Sequence, residues 1–293
     1  LVTLTGRAHH LFWNMRARFV VKLSLATLLV TWAHAVGASE PEATDERPAL
    51  GVHIGLTVAA IATFATLEAL KPKLAPAECR WCDRSASGAD ELNGFDRSAR
   101  HALRWSATGT ADTLSTTFSF VLAPAAGVIV GSMVTAHDGR TSELPANILV
   151  VVESAAFAVD IDALAKLGFA RERPYAHART PEERARLHSP TDNLSFFSGH
   201  ATLAFALAVS SGTVASMRGY RWAPVMWVTG LTLASVGGYL RIAADKHYAT
   251  DVLAGVAVGS SVGFAVPYFL HRTHGARLGV VPMARGFALA GSF

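Results

Sequence analysis

The sequence predicts an all-α protein, a six-helix bundle embedded in a membrane, and three observations carry that prediction. Charge is scarce: Asp, Glu, Lys and Arg make up 16% of the 293 residues, against about a quarter in ordinary globular chains, while 51% are apolar and mean hydropathy is +0.31. The apolar residues arrive in runs, for 49–67, 113–136, 201–217, 222–240 and 252–270 contain no Asp, Glu, Lys or Arg, and each approaches the ~20 residues that cross a bilayer. The runs are rich in Ala, Val, Gly, Ser and Thr, the small residues that closely packed membrane helices use at their contacts. The competing reading is a soluble periplasmic helical domain whose apolar helices bury one another.

From the start of the chain, residues 1–14 precede the first methionine, Met15, and read as an upstream extension without a pattern of its own. Residues 15–38 follow with Arg16, Arg18 and Lys22, then an apolar stretch and the small-residue pattern Ala33-His34-Ala35 and Val36-Gly37-Ala38. That order is expected of a signal peptide, or of an N-terminal anchor if it is not cleaved. An acidic linker occupies 39–48, a helical domain 49–272, and a tail 273–293 in which 279–293 has the pattern of a short hairpin. The sixth helical stretch, 147–165, carries Glu153, Asp160 and Asp162, which are costly in lipid unless they face a bundle interior. Long polar loops are expected at 71–112 and 175–195, the second read as a solvated insertion.

The positive-inside rule places the connection 218–221 and the tail with Arg272, Arg277 and Arg285 in the cytoplasm, so that the helix ends near 171–198 and 241–250 lie outside. With a secreted linker, one of 49–70, 113–136 and 147–165 must then fail to cross. The segment 49–70, with His53 and Glu68, is the one expected to lie at the interface or against the bundle. Cys79 and Cys82 would lie where a disulfide is allowed, and they are either one bridge or two thiols. Two cysteines do not close a four-ligand zinc site. The net charge of +4 comes from scattered residues without a basic block, so no nucleic-acid partner is expected.

Chemistry gathers in three clusters. Lys166 and Arg173 are seven residues apart and would share a helix face if the helix persisted, although Pro174 disfavours helix at Arg173. Taken alone, such cations compensate a helix dipole, and Arg171 between them reads as a neighbouring surface charge. Ser198-Gly199-His200 opens an apolar helix, where Ser198 is a good N-cap and the first-turn N–H groups face an anion. Alone this is an ordinary capped helix. In the third cluster, Arg241 is followed by His247 and Asp251, four apart, so a carboxylate is in reach of the imidazole N–H and would fix its tautomer. Together the clusters bring three cations, helix N–H groups and two histidines to one end of an alternating bundle, a composition suited to a tetrahedral oxyanion.

The order Lys-x6-Arg-Pro, Ser-Gly-His, Arg-x5-His-x3-Asp, within a motif core of 147–270, resembles the type 2 phosphatidic acid phosphatase superfamily, which includes bacterial acid phosphatases and vanadium haloperoxidases. Two positions depart from that pattern: Phe197 stands where proline is usual and Leu240 where serine is usual. The resemblance implies a phosphatase in which His247 is the nucleophile, Asp251 holds its imidazole, and His200 protonates the leaving oxygen and then activates water. It further implies that Lys166, Arg173, Ser198, Gly199 and Arg241 bind the phosphate oxygens, with no metal and no cofactor. The substrate expected is a lipid phosphate, with membrane lipids as surroundings, in a bacterial inner membrane with the site facing the periplasm. A soluble periplasmic acid phosphatase, a vanadium haloperoxidase and a non-catalytic lipid-binding membrane protein are the alternatives. The sequence carries no signal of oligomeric state.

Overall fold

The computed structural model describes residues 50–85, 87–271, 277–283 and 286–292. The expected extension, signal segment and acidic linker lie outside these residues. The chain divides into two compact units, 1–63 with 273–293, and 64–272. In the first, the hairpin expected in the tail is present as β1 (Arg277–Met283) antiparallel to β2 (Gly286–Ser292), with Arg277 opposite Ser292 and Met283 opposite Gly286.

Six long helices form where the apolar runs predict them: α1 (Leu50–Leu74), α3 (Thr108–His137), α4 (Leu144–Phe169), α5 (Gly199–Met217), α6 (Ala223–Ala243) and α7 (Ala249–Leu270). Within the expected polar loop, a short helix α2 (Gly94–Leu103) starts at Asn93, whose side chain accepts the Asp96 N–H at 2.9 Å. The five helices α1, α3, α5, α6 and α7 are long and apolar enough to cross a membrane. The sixth, α4, is 26 residues long and buries its acids, since Glu153 and Asp160 are 0% exposed and Asp162 4%. Helix α4 stops at Ala170, which adopts the left-handed conformation (φ 49°, ψ 47°) and turns the chain back toward the bundle.

Polarity in the 64–272 unit is inverted relative to a water-soluble domain. Ile129 and Val228 are 59% and 66% exposed, and Val121, Met133, Leu253 and Phe269 also face outward, while Ser115, Thr202, Ser210 and Thr213 are buried. That distribution fits a solvent as apolar as the side chains it touches, and it removes the reason for the soluble-domain alternative, which required the apolar surface to be buried.

The central helix α5 packs on α4, α6 and α7. Its approach to α7 is close enough that a Cβ at Gly259 would lie 2.3 Å from the Thr202 carbonyl oxygen. Helix directions alternate. Asp112 near the start of α3 meets Arg241 in the last turn of α6, and the Ser198 N–H donates to the Asp251 carbonyl near the starts of α5 and α7. At the opposite end, Tyr220 between α5 and α6 donates to Glu143 just before α4 (2.6 Å) and accepts from Asn147 (2.8 Å). The last turns of α1 reach the first of these ends, where Lys71 and Lys166 line one small cavity. All six helices therefore keep the alternation within 64–272, and no helix direction there singles out α1 as the one that fails to cross.

Candidate active site

Every residue of the three clusters lies at the end of the bundle where α3, α5 and α7 begin and α4 and α6 finish. Lys166 sits in the last turn of α4, with its Nζ 2.6 Å from Asp162 Oδ2, one turn back on the same face. The shared helix face expected for Lys166 and Arg173 does not form. The helix ends at Phe169, and Arg173 is extended (φ −74°, ψ 151°) ahead of Pro174. Arg173 instead enters from the following loop, held by the Thr191 carbonyl on Nε (2.9 Å) and the Lys246 carbonyl on Nη1 (3.3 Å). The loop read as a solvated insertion is itself folded, with Asp192 accepting from Tyr175 Oη (2.7 Å) and Arg179 (2.8 Å).

Ser198 occupies the N-cap position of α5, but its side chain makes no cap hydrogen bond. Its Oγ is buried without a hydrogen-bond partner among the described residues, a costly state for a hydroxyl unless a ligand completes it. Beside it, a Cβ on Gly199 would lie 2.6 Å from Asp162 Oδ2 and 2.7 Å from Lys166 Nζ. Only glycine lets the first turn of α5 approach the lysine this closely. His200 follows, with Nε2 3.3 Å from Thr116 Oγ1 and its ring edge-on to Phe120 at 4.9 Å.

Arg241 reaches Asp112 (2.5 Å) and Ser115 (2.8 Å) with Nη1, and its buried Nε has no partner among the described residues. Two residues beyond α6, Asp245 turns the chain in the left-handed conformation (φ 59°), anchored by Arg100 of α2 at 2.6 and 2.7 Å. His247 follows, 2% exposed.

The imidazole of His247 is held differently from the expectation. Its Nδ1 lies 2.7 Å from the Ser195 carbonyl and 3.8 Å from Asp251 Oδ2. The direct Asp251–imidazole hydrogen bond expected from the spacing is thus not made. A carbonyl only accepts, so Nδ1 carries the proton and Nε2 keeps a free lone pair. Asp251, 0% exposed, acts one step away: its Oδ2 accepts from Ser195 Oγ (2.5 Å) and from the Tyr248 N–H (2.9 Å), and its Oδ1 from Arg171 (2.6 Å). Burial, and then the charges of Arg173, Arg241 and Lys166, hold the His247 pKa well below the usual histidine value, against the opposing hydrogen bond to Ser195. His200 lies within electrostatic reach of the same three cations and of His247. The cations therefore converge on both imidazoles, in a setting able to bind a tetrahedral oxyanion beside an unprotonated ring nitrogen.

Four participants were not legible in the motifs. Ser195 holds the imidazole by its carbonyl; Asp162 and Asp112 hold Lys166 and Arg241. Arg171, expected at the surface, is 0% exposed and bound to Asp251. Of these, only Asp162 had a local signal, its i,i+4 spacing to Lys166. Cys79 and Cys82 form a disulfide in the loop at this same end, where the Arg80 N–H donates to the Ala170 carbonyl (3.1 Å).

The sequence model of the PAP2 superfamily matches residues 147–274. A Lipid A 1-phosphatase of Porphyromonas gingivalis is 42% identical over 69 residues, which are 24% of this chain and only 15% of that protein's length. The crystal structure of a transmembrane PAP2 type phosphatidylglycerolphosphate phosphatase from Bacillus subtilis aligns with 75% of this chain and 96% of its own, at a TM-score of 0.41 and 14% identity.

Proposed function

From a chain whose residues 147–274 match the PAP2 superfamily, we propose that the protein is a phosphatase of membrane lipid phosphates, hydrolysing a phosphomonoester or pyrophosphate through a phosphohistidine. The observation that carries this reading is the His247 Nδ1–H donated to the Ser195 carbonyl, which leaves Nε2 as an unprotonated nucleophile among three cations. In the first step Nε2 forms a bond to phosphorus as the bond to the leaving oxygen breaks. Protonated His200 gives that oxygen its proton. In the second step, His200, now neutral, takes a proton from water. The oxygen attacks phosphorus, the P–N bond breaks, and neutral His247 and inorganic phosphate are released.

Lys166, Arg173 and Arg241, with the Ser198 hydroxyl and the Gly199 N–H, bind the non-bridging oxygens and stabilise the charge of the transition state. The unpartnered Ser198 Oγ and Arg241 Nε support that assignment. A lipid substrate is supported by the outward apolar surface of the bundle and its five helices of crossing length, and a phosphate head group then enters at the helix ends. A disulfide at that end supports an active site outside the cytoplasm, in a multi-pass protein of a bacterial inner membrane facing the periplasm.

The test is phosphate release in detergent from phosphatidic acid, a lipid pyrophosphate and a soluble aryl phosphate, each with and without EDTA. The wild type is expected to release phosphate in EDTA, with the lipid substrates preferred. His247→Ala should lower kcat by at least about 10³-fold, and quenching in alkaline denaturant, in which the P–N bond survives, should trap phosphate on the wild type alone. Undiminished release by His247→Ala removes the nucleophile; preference for the aryl phosphate removes the lipid.

A further inference from the structure

We propose that Arg171 is a positioning residue of the catalytic centre, fixing the nucleophilic imidazole through Asp251 and Ser195 without touching the phosphate. This rests on the role proposed above for His247. Arg171 is the largest of the fully buried side chains, and a buried guanidinium is costly unless its donors are met. Nε meets Asp83 Oδ2 (3.0 Å), Nη1 meets Asp251 Oδ1 (2.6 Å) and Thr250 Oγ1 (2.7 Å), and Nη2 meets Asp96 Oδ2 (2.9 Å). Its two faces lie against Trp81 and Tyr248, 4.1 and 4.2 Å from the ring centroids. Burial works against its charge, but Asp251, Asp96 and Asp83 outweigh burial and raise its pKa above the usual arginine value.

The main chain of Arg171 joins the same circuit. Its carbonyl accepts the Ser195 N–H at 3.0 Å, while its side chain holds Asp251, which accepts the Ser195 hydroxyl. Ser195 is thus gripped at both its N–H and its Oγ, and its own carbonyl is the acceptor that sets the His247 tautomer. The three carboxylates on Arg171 compete for one charge, so its share given to Asp251 sets how negative the surroundings of the imidazole are.

The competing possibility is that Arg171 only holds the fold. Two variants of the full-length protein separate the two, measured on phosphatidic acid in detergent with activity normalised to folded protein. Arg171→Lys keeps the charge but lacks the planar fork that serves Asp251, Thr250 and Asp96 at once. Asp251 then loses its bidentate-capable partner, the surroundings of the imidazole become more negative and the imidazole is less fixed. The expected result is a kcat lower by ~10–100-fold, an unchanged KM and an acid limb of kcat displaced to higher pH. Asp83→Asn removes a competing carboxylate on the far side of Arg171, so the surroundings of Asp251 and His247 become more positive. Its acid limb should move to lower pH. Opposite displacements support positioning. Acid limbs that coincide with wild type, with losses only in folded fraction, overturn it, and if Arg171→Lys does not fold, Asp83→Asn alone decides on its limb. His247→Ala, measured alongside, separates the failures: activity in that variant overturns the proposed function and this inference with it. Its inactivity, with unmoved limbs in the other two, overturns only the role of Arg171.

Discussion

At Gly199 there is no space for a Cβ, and what fills it is the ends of two side chains. A Cβ there would displace the Lys166 ammonium and the Asp162 carboxylate, which are ends of side chains rather than backbone. Gly199→Ala is therefore expected to lower kcat/KM by about 10-fold or more while changing stability by less than ~1 kcal/mol. Steady-state kinetics beside a thermal melt check this, and a melt that collapses together with activity overturns it. The site residues legible in the sequence, Lys166, Arg173, Ser198, Gly199, His200, Arg241, His247 and Asp251, lie at or beside the ends of the helical runs. The partners of Arg171 and Arg241 show where that stops. Their carboxylates lie 75 to 129 residues away, and no local spacing distinguishes an arginine bound for three acids from one bound for water. The Asp251 hydrogen bond failed for a related reason. An i,i+4 pair on a helix start is within reach, but Ser195, brought in by an unrelated loop, is nearer to Nδ1.

Between residue and bundle, the pairing of α5 with α7 decides whether the two halves of the site meet. Ser198 and His200 open α5, Asp251 lies in the first turn of α7, and Gly255, Gly259 and Gly263 form the seam. At Gly259 the obstacle to a Cβ is backbone, the Thr202 carbonyl at 2.3 Å, which does not give way as a side chain does. Gly259→Ala should destabilise by ~1–3 kcal/mol and lower kcat as well, because separating the helices separates His200 from His247. A wild-type melting curve for this variant would overturn the close-packed seam. Helix positions were legible because the apolar runs are long: 201–217 became Gly199–Met217 and 222–240 became Ala223–Ala243. Helix α2 was not, being ten residues long and polar within a polar loop. Yet it brings Asp96 to Arg171 and Arg100 to Asp245. A short helix stabilised by buried ion pairs leaves no hydrophobic period to read.

Over the 64–272 unit, the direction of each helix turns the chemistry of the site into a statement about sidedness. The loops at 171–198 and 244–248 share the catalytic end, and the 218–222 connection lies at the other. The parity argument from sequence had to give up one helix because it began from a secreted linker. Helix directions, read from contacts instead, alternate without a loss, and what a residue count could not supply was which ends touch. The proposed orientation then predicts opposite labelling of two exposed positions. His188, in the loop at the catalytic end, and Arg221, between α5 and α6, are both exposed, and the native cysteines are silent as a disulfide. In intact cells, His188→Cys should react with a membrane-impermeant maleimide, and Arg221→Cys should react only after the membrane is permeabilised. The reverse pattern would place the catalytic end in the cytoplasm, where a disulfide is not expected to persist. Labelling of both in intact cells would mean that the bundle does not separate two compartments, and would return the apolar surface of α3, α6 and α7 to contact with another protein rather than with lipid.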